Sequence, residues 1–228
     1  MIAKPKEYYT GLGLIIGFGI VLLLFFLPFY SGRNGLDFLD NLYNSISKGS
    51  AYYIPNVKKE VEPFVGDKVA VTLSMTDSKQ AEQTALLFQA GGAETAVNGR
   101  ELKVTGDLGK ILAAAVEDSD AMYKNDGKKV SDKYGYDERL ALFNWFQAMQ
   151  RMDKALAKEK KFKEGKIIVF VQQKALEPSY NYYKVEAQNI GDRWATVVFS
   201  LVFYVIYTLW YGFAMLFMFE GWGLKVGH

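Results

Sequence analysis

The chain has 228 residues, half of them hydrophobic, with 27 Lys/Arg against 25 Asp/Glu and a formal net charge of +2. It contains no cysteine, which excludes disulfides, thiolate metal sites and iron–sulfur ligation by this chain. Its one histidine, His228, occupies the last position, so the body of the chain has no histidine for haem ligation or general-base chemistry.

The hydrophobic residues are concentrated at the two ends. Residues 1–10 form a short tail with Lys4 and Lys6. Residues 11–30 are apolar and uncharged, about 30 Å of helix, which suits a membrane span. The run is longer than the apolar core of a secretory signal, and no small-x-small cleavage site follows it. It therefore reads as an uncleaved signal anchor. Gly13 and Gly17 stand one turn apart, with Gly11 and Gly19 nearby. Small residues at that spacing let two helix backbones approach, so Gly13 and Gly17 are expected at a helix–helix interface. Pro28 is expected to end or kink the last turn.

Residues 31–66 read as an amphipathic helix beside the membrane, followed by an extended, proline-bearing link. Residues 67–175 read as one α/β domain. A β-branched alternating run from Lys68 predicts a strand, and Asp77 or Ser78 is placed to cap a helix that stops at Gly91-Gly92. Asn98-Gly99 suggests a hairpin with a type I′ turn, and Asp107 caps a second helix. A long helix is expected from about Asp137 to Phe162, and a final strand at residues 166–173. That order, strand–helix–strand–strand–helix–strand, is the order of a ferredoxin-like sandwich with an extra long helix. The fold class expected is thus membrane α+β, two transmembrane helices flanking one extracytoplasmic α/β domain.

On the long helix Leu142, Trp145, Met149, Met152 and Leu156 recur at alternating spacings of three and four. Such a stripe serves either the domain's own core or a partner contact. Glu117, Asp118 and Asp120 lack the further ligands and glycine of a calcium loop and read as a solvated helix end. The near-neutral middle of the chain gives no electrostatic reason for nucleic-acid binding.

Residues 176–194 lead back to the membrane, with Tyr180, Tyr182, Tyr183 and Trp194 as an expected interfacial belt. Residues 195–219 are uncharged and form the second span, about 38 Å of helix, and 220–228 form a tail. Ser200, Tyr204, Thr208 and Tyr211, with Tyr207, share one face of that span. Hydroxyls in hydrocarbon need partners, so this face is expected to meet protein rather than lipid. Lys4, Lys6 and Lys225 in the tails balance Arg33, Lys184 and Arg193 beside the spans. The first helix then decides for both termini in the cytoplasm of a plasma (inner) membrane.

No phosphate-binding loop, nucleophile elbow or zinc-protease helix occurs, and no cofactor is implied. These readings converge on a non-catalytic two-pass protein. Its partners would be the lipid bilayer and either other membrane-protein subunits or a second copy of itself. The alternative is an extracytoplasmic module that binds a small ligand and signals through a partner.

Overall fold

The computed structural model describes residues 2–29 and 32–224; Tyr30 of the first expected span, Lys225 and His228 lie outside the described residues. The chain divides into two compact units. One comprises the residues up to Ser47 with those from Ala187 onward, and the other comprises Lys48–Glu186.

The first unit is built on two helices, α1 (Pro5–Phe26) and α10 (Ile190–Gly221), each long and apolar enough to cross a membrane. Pro5 opens α1, where its missing N–H costs nothing. Asn189 caps α10 by accepting from the Gly191 amide at 2.8 Å. Helix α2 (Gly35–Ser50) starts where Asn34 accepts from the amide of Asp37.

The second unit contains α3 (Ile54–Val61), a 3₁₀ turn (Glu62–Phe64), β1 (Lys68–Ser74), α4 (Ser78–Ala90), β2 (Glu94–Asn98) and β3 (Glu101–Asp107). It continues with α5 (Leu108–Tyr123), α6 (Gly127–Tyr134), α7 (Glu138–Lys158), α8 (Phe162–Val171), a π turn (Gln172–Leu176) and α9 (Glu177–Asn181). Asp77, Asp107 and Asp137 each accept an amide hydrogen from the first turn of α4, α5 and α7. The expected extended link is instead α3, because Ile54, Val57, Val61 and Phe64 carry an apolar face into the core.

The sheet is antiparallel and three-stranded, in the order β1-β3-β2. β1 and β2 are thus parallel neighbours-but-one with β3 between them, joined by α4. The sheet buries Val69, Val71, Leu73, Leu102 and Val104 and leaves the alternate residues exposed, the pattern of a one-sided sheet. The hairpin register places Gly99 and Arg100 at its tip. Gly99 has φ +58° and Arg100 has no positive φ, as in a type II′ turn, so the tip lies one residue beyond the expected Asn98-Gly99.

The sandwich stops at three strands. Residues 166–173, expected as its fourth strand, lie in α8 and the π turn. The run is rich in Ile and Val, but Ile167, Ile168, Val171, Ala175 and Leu176 are buried together at helical spacing. A short apolar run is compatible with a strand or a buried helix, and here the helical packing wins. The sheet is therefore not a complete ferredoxin-like one.

Candidate functional site

In the first unit α1 and α10 pack antiparallel. The amides of Ala3 and Lys4 donate to the Gly221 carbonyl at 2.8 and 2.9 Å, and the ring of Tyr8 lies beside that of Trp222. One turn on, a Cβ at Gly11 would sit 2.6 Å from the Met218 nitrogen and 2.7 Å from the Ala214 oxygen, so only glycine permits this approach. Trp210 donates from Nε1 to the Leu14 carbonyl at 3.0 Å, and Gly17 lies under its ring. Tyr207 stacks on Phe18 at 4.1 Å between centroids and points its hydroxyl at the Phe18 carbonyl, 3.4 Å away. Phe25 and Phe203 stack further along. On α10 the residues against α1 are Phe203, Tyr207, Trp210, Ala214 and Gly221, largely at alternating three and four, as in a left-handed helix pair.

The expected interface residues therefore separate. Gly17 is in the seam; Gly13 is exposed, with nothing within 4 Å of where its Cβ would be. The glycine that closes the pair is Gly11, whose position in the seam depends on the partner helix and not on the GxxxG spacing. Ser200 is buried. It donates to the Val197 carbonyl at 2.8 Å and so accepts from the Tyr43 hydroxyl at 2.6 Å. Tyr211 touches Phe18 with its ring but remains 46% exposed, and Tyr204 is 68% exposed. Thr208 directs its hydroxyl to the Tyr204 carbonyl at 2.7 Å. Among the described residues neither the Tyr204 nor the Tyr211 hydroxyl has a hydrogen-bond partner.

In the second unit the α7 stripe is core. Leu142, Trp145, Met149, Met152 and Leu156 are all fully buried within this chain, and Trp145 meets Phe88 edge-on at 5.3 Å. The chain's own sheet and helices cover the stripe, so these residues are not open to a partner.

Two polar clusters there went unread in the sequence. Asp118, expected at a solvated helix end, is buried and collects three donors: Tyr134 Oη at 2.6 Å, Trp145 Nε1 at 2.8 Å and Lys133 Nζ at 2.9 Å. Burial and the Asp118 charge push the Tyr134 phenol well above its ordinary value. Asp120 accepts from Tyr52, Lys58 and Lys124; burial opposes its ionisation, and these bonds overcome that and hold its carboxyl below the usual range.

The second cluster is centred on Lys48, only 5% exposed. Its ammonium donates to Asn125 Oδ1 at 3.0 Å and to the carbonyls of Tyr182 and Val185 at 3.1 and 2.7 Å, which uses all three hydrogens. The Tyr123 hydroxyl donates to the Lys48 carbonyl. Asn125, at φ +63°, also accepts from the Lys184 amide and donates to the Val185 carbonyl and to Glu186. Burial lowers the Lys48 pKa against the raising effect of Glu186, and burial pushes Tyr123 up to about 12. Tyr183, expected in an interfacial belt, is buried instead, with its hydroxyl on Glu138 at 2.7 Å.

An open groove of about 640 Å³ runs along α3 and α5, lined by Lys58, Lys59, Lys129, Glu117 and Asp120 over an apolar floor of Val61, Val65 and Val116. Lys58 pairs with Asp120, and Lys129 with Glu117. No group of three or more Asp, Glu or His that could hold a metal occurs among the described residues. No protein-family model matches the chain, and neither curated proteins nor solved structures give a match.

Proposed function

We propose that this chain is a two-pass protein of the plasma (inner) membrane, with both termini cytoplasmic and the α+β unit extracytoplasmic. In this reading it serves as a non-catalytic structural or accessory subunit of a larger membrane complex. The observation that carries the membrane reading is how little of the two helices the chain itself covers. In their most apolar windows 6% of α1 and 11% of α10 is buried. A core helix of a soluble protein would be covered by its own chain; these present Ile16, Leu23, Phe199, Val205 and Ile206 outward, which suits lipid. Antiparallel packing brings the start of α1 to the end of α10, which supports the reading that the two tails share one side of a bilayer. The first-helix bias, Lys4 and Lys6 against Arg33, favours that side as cytoplasmic.

Support for assembly comes from the phenols of Tyr204 and Tyr211, which have no acceptor among the described residues at a depth where lipid offers none. The buried polar groups of the second unit support a scaffold role, since Lys48 and Asp118 are each fully engaged in holding segments together. The test is extraction of the native protein in mild detergent, followed by particle mass and the identity of co-purifying chains. An assembly is expected; a lone monomer would sink the reading.

A second reading, an extracytoplasmic small-ligand sensor, rests on the groove at Lys58, Lys59 and Lys129. It requires a ligand that displaces the existing Lys58–Asp120 and Lys129–Glu117 pairs. A thermal-shift screen with small anions and zwitterions that finds no stabilisation counts against it.

A further inference from the structure

We infer that the flank of α10 bearing Leu201, Tyr204, Thr208 and Tyr211 is a docking surface for the same flank of a second copy of this chain, in a parallel two-fold arrangement within the bilayer. This rests on the reading that α10 spans the membrane.

The first support is position. At 100° per residue the four side chains fall within an arc of about 80°. That arc lies beside the seam that faces α1, and Leu201 and Tyr204 are 54% and 68% exposed. The apolar run 195–219 has its midpoint at Tyr207, so Tyr204 and Tyr211 stand about 4.5 and 6 Å from it along the axis. The hydrocarbon half-thickness is roughly 15 Å, so neither phenol reaches water.

The second support is hydrogen-bond accounting. A rigid phenol cannot fold back onto its own helix carbonyls, and an unpaired hydroxyl in hydrocarbon is costly. Thr208 has given its hydrogen to the Tyr204 carbonyl at 2.7 Å, which leaves its oxygen free to accept. One flank therefore carries two unused donors, the phenols, next to an unused acceptor, the threonine oxygen, and the phenol oxygens accept as well. A surface with both halves of the hydrogen-bond set is self-complementary, which is what an isologous contact requires. A second copy placed by a two-fold axis along the membrane normal offers each phenol an oxygen at matching depth, and receives the same in return.

The natural absence of cysteine makes the test clean. Single variants of the full chain, Leu201→Cys, Val202→Cys and Ile206→Cys, are oxidised in native membranes. Val202 and Ile206 are exposed on the far side of α10. Leu201→Cys is expected to give a disulfide-linked dimer, and the other two are not. Adding Tyr204→Phe and Tyr211→Phe to Leu201→Cys keeps both rings and removes only the hydroxyls; dimer yield is expected to fall roughly five- to tenfold. The thermal midpoint of the second unit, unchanged, shows that the variant is folded.

Equal cross-linking at all three positions, stronger cross-linking at 202 or 206, or an adduct of Leu201→Cys with a different chain overturns the inference. Particle mass separates this from the assembly reading. One copy together with other chains leaves that reading standing and removes the two-fold contact, whereas an isolated monomer removes both.

Discussion

The indole of Trp210 donates to the main-chain carbonyl of Leu14 at 3.0 Å, joining helices whose contact residues lie 196 positions apart in sequence. The bond ties α1 to α10 at this level, and the missing side chain of Gly17 leaves room for the ring, since a Cβ there would lie 3.1 Å from it. Trp210→Phe keeps most of the ring and loses the donor. It is expected to weaken the pair by about 0.5–1.5 kcal/mol, read as a lower thermal midpoint of the full chain in mild detergent.

Gly11 and Gly13 provide a contrast within one helix turn. A larger side chain at Gly11 meets the backbone of Met218 and Ala214, which cannot move aside as a flexible side chain would. Gly11→Val is expected to cost about 1–3 kcal/mol, whereas Gly13→Val, facing open space, is expected to stay within about 0.5 kcal/mol. Equal losses at both positions would show that the GxxxG pair, and not the observed seam, governs the packing.

In the second unit Asp118 connects three elements, and its removal is expected to be the most damaging single polar change there. Asp118→Ala leaves the Tyr134 hydroxyl and the Trp145 indole N–H buried without an acceptor. The expected loss is about 3–5 kcal/mol, measured by denaturant unfolding followed through tryptophan fluorescence. A loss below about 1 kcal/mol would mean that water replaces the carboxylate.

Lys48→Met keeps the length of the buried stem and removes the ammonium. Each of its three acceptors keeps one other donor: the Tyr182 carbonyl the Val185 amide, Asn125 Oδ1 the Lys184 amide, and the Val185 carbonyl the Asn125 side-chain amide, so the loss is that of three bonds to a charge and not of an orphaned carbonyl. Expected is a loss of about 1–3 kcal/mol. Hydrogen exchange is expected to accelerate at residues 182–186 before it does in the sheet.

The tyrosines set an alkaline limit. Burial pushes Tyr123, Tyr136 and Tyr183 up to about 12 from an ordinary value of 10. The folded unit thus keeps protons that the unfolded chain releases, so the stabilisation is whole below pH 10 and is lost as pH rises toward about 12. Phenolate absorbance should rise late and together with unfolding. Tyr183→Phe should reduce the pH dependence over that interval.

Local features were legible in the sequence. The caps at Asp77 and Asp107 need only an acidic residue before a helical run, and the two apolar helices need only length and absence of charge. Features defined by distant partners were not. Lys48 stands on an amphipathic helix like any surface lysine, and its acceptors lie 77, 134 and 137 residues away. Asp118 resembles its exposed neighbour Glu117 until α6 and α7 close over it. The run at 166–173 misleads because Ile and Val suit a strand and a buried helix equally, and only the packing on α7 decides. On the hydroxyl face of α10, Ser200 meets Tyr43, a partner 157 residues away that no local pattern names. Gly13 faces open space despite its GxxxG spacing, because spacing alone cannot say which face of a helix its partner takes.

The most direct measurement is thiol labelling of single-cysteine variants with a membrane-impermeant reagent, on intact cells and again after the membrane is opened. Ala3→Cys and Leu224→Cys report the two tails, and Thr105→Cys reports the exposed face of the sheet. Two spans with an extracytoplasmic α+β unit require Thr105→Cys to label at once and both tails only after opening. Labelling of all three on intact cells, or a protein that washes off membranes at alkaline pH, would contradict the two-span arrangement on which the rest depends.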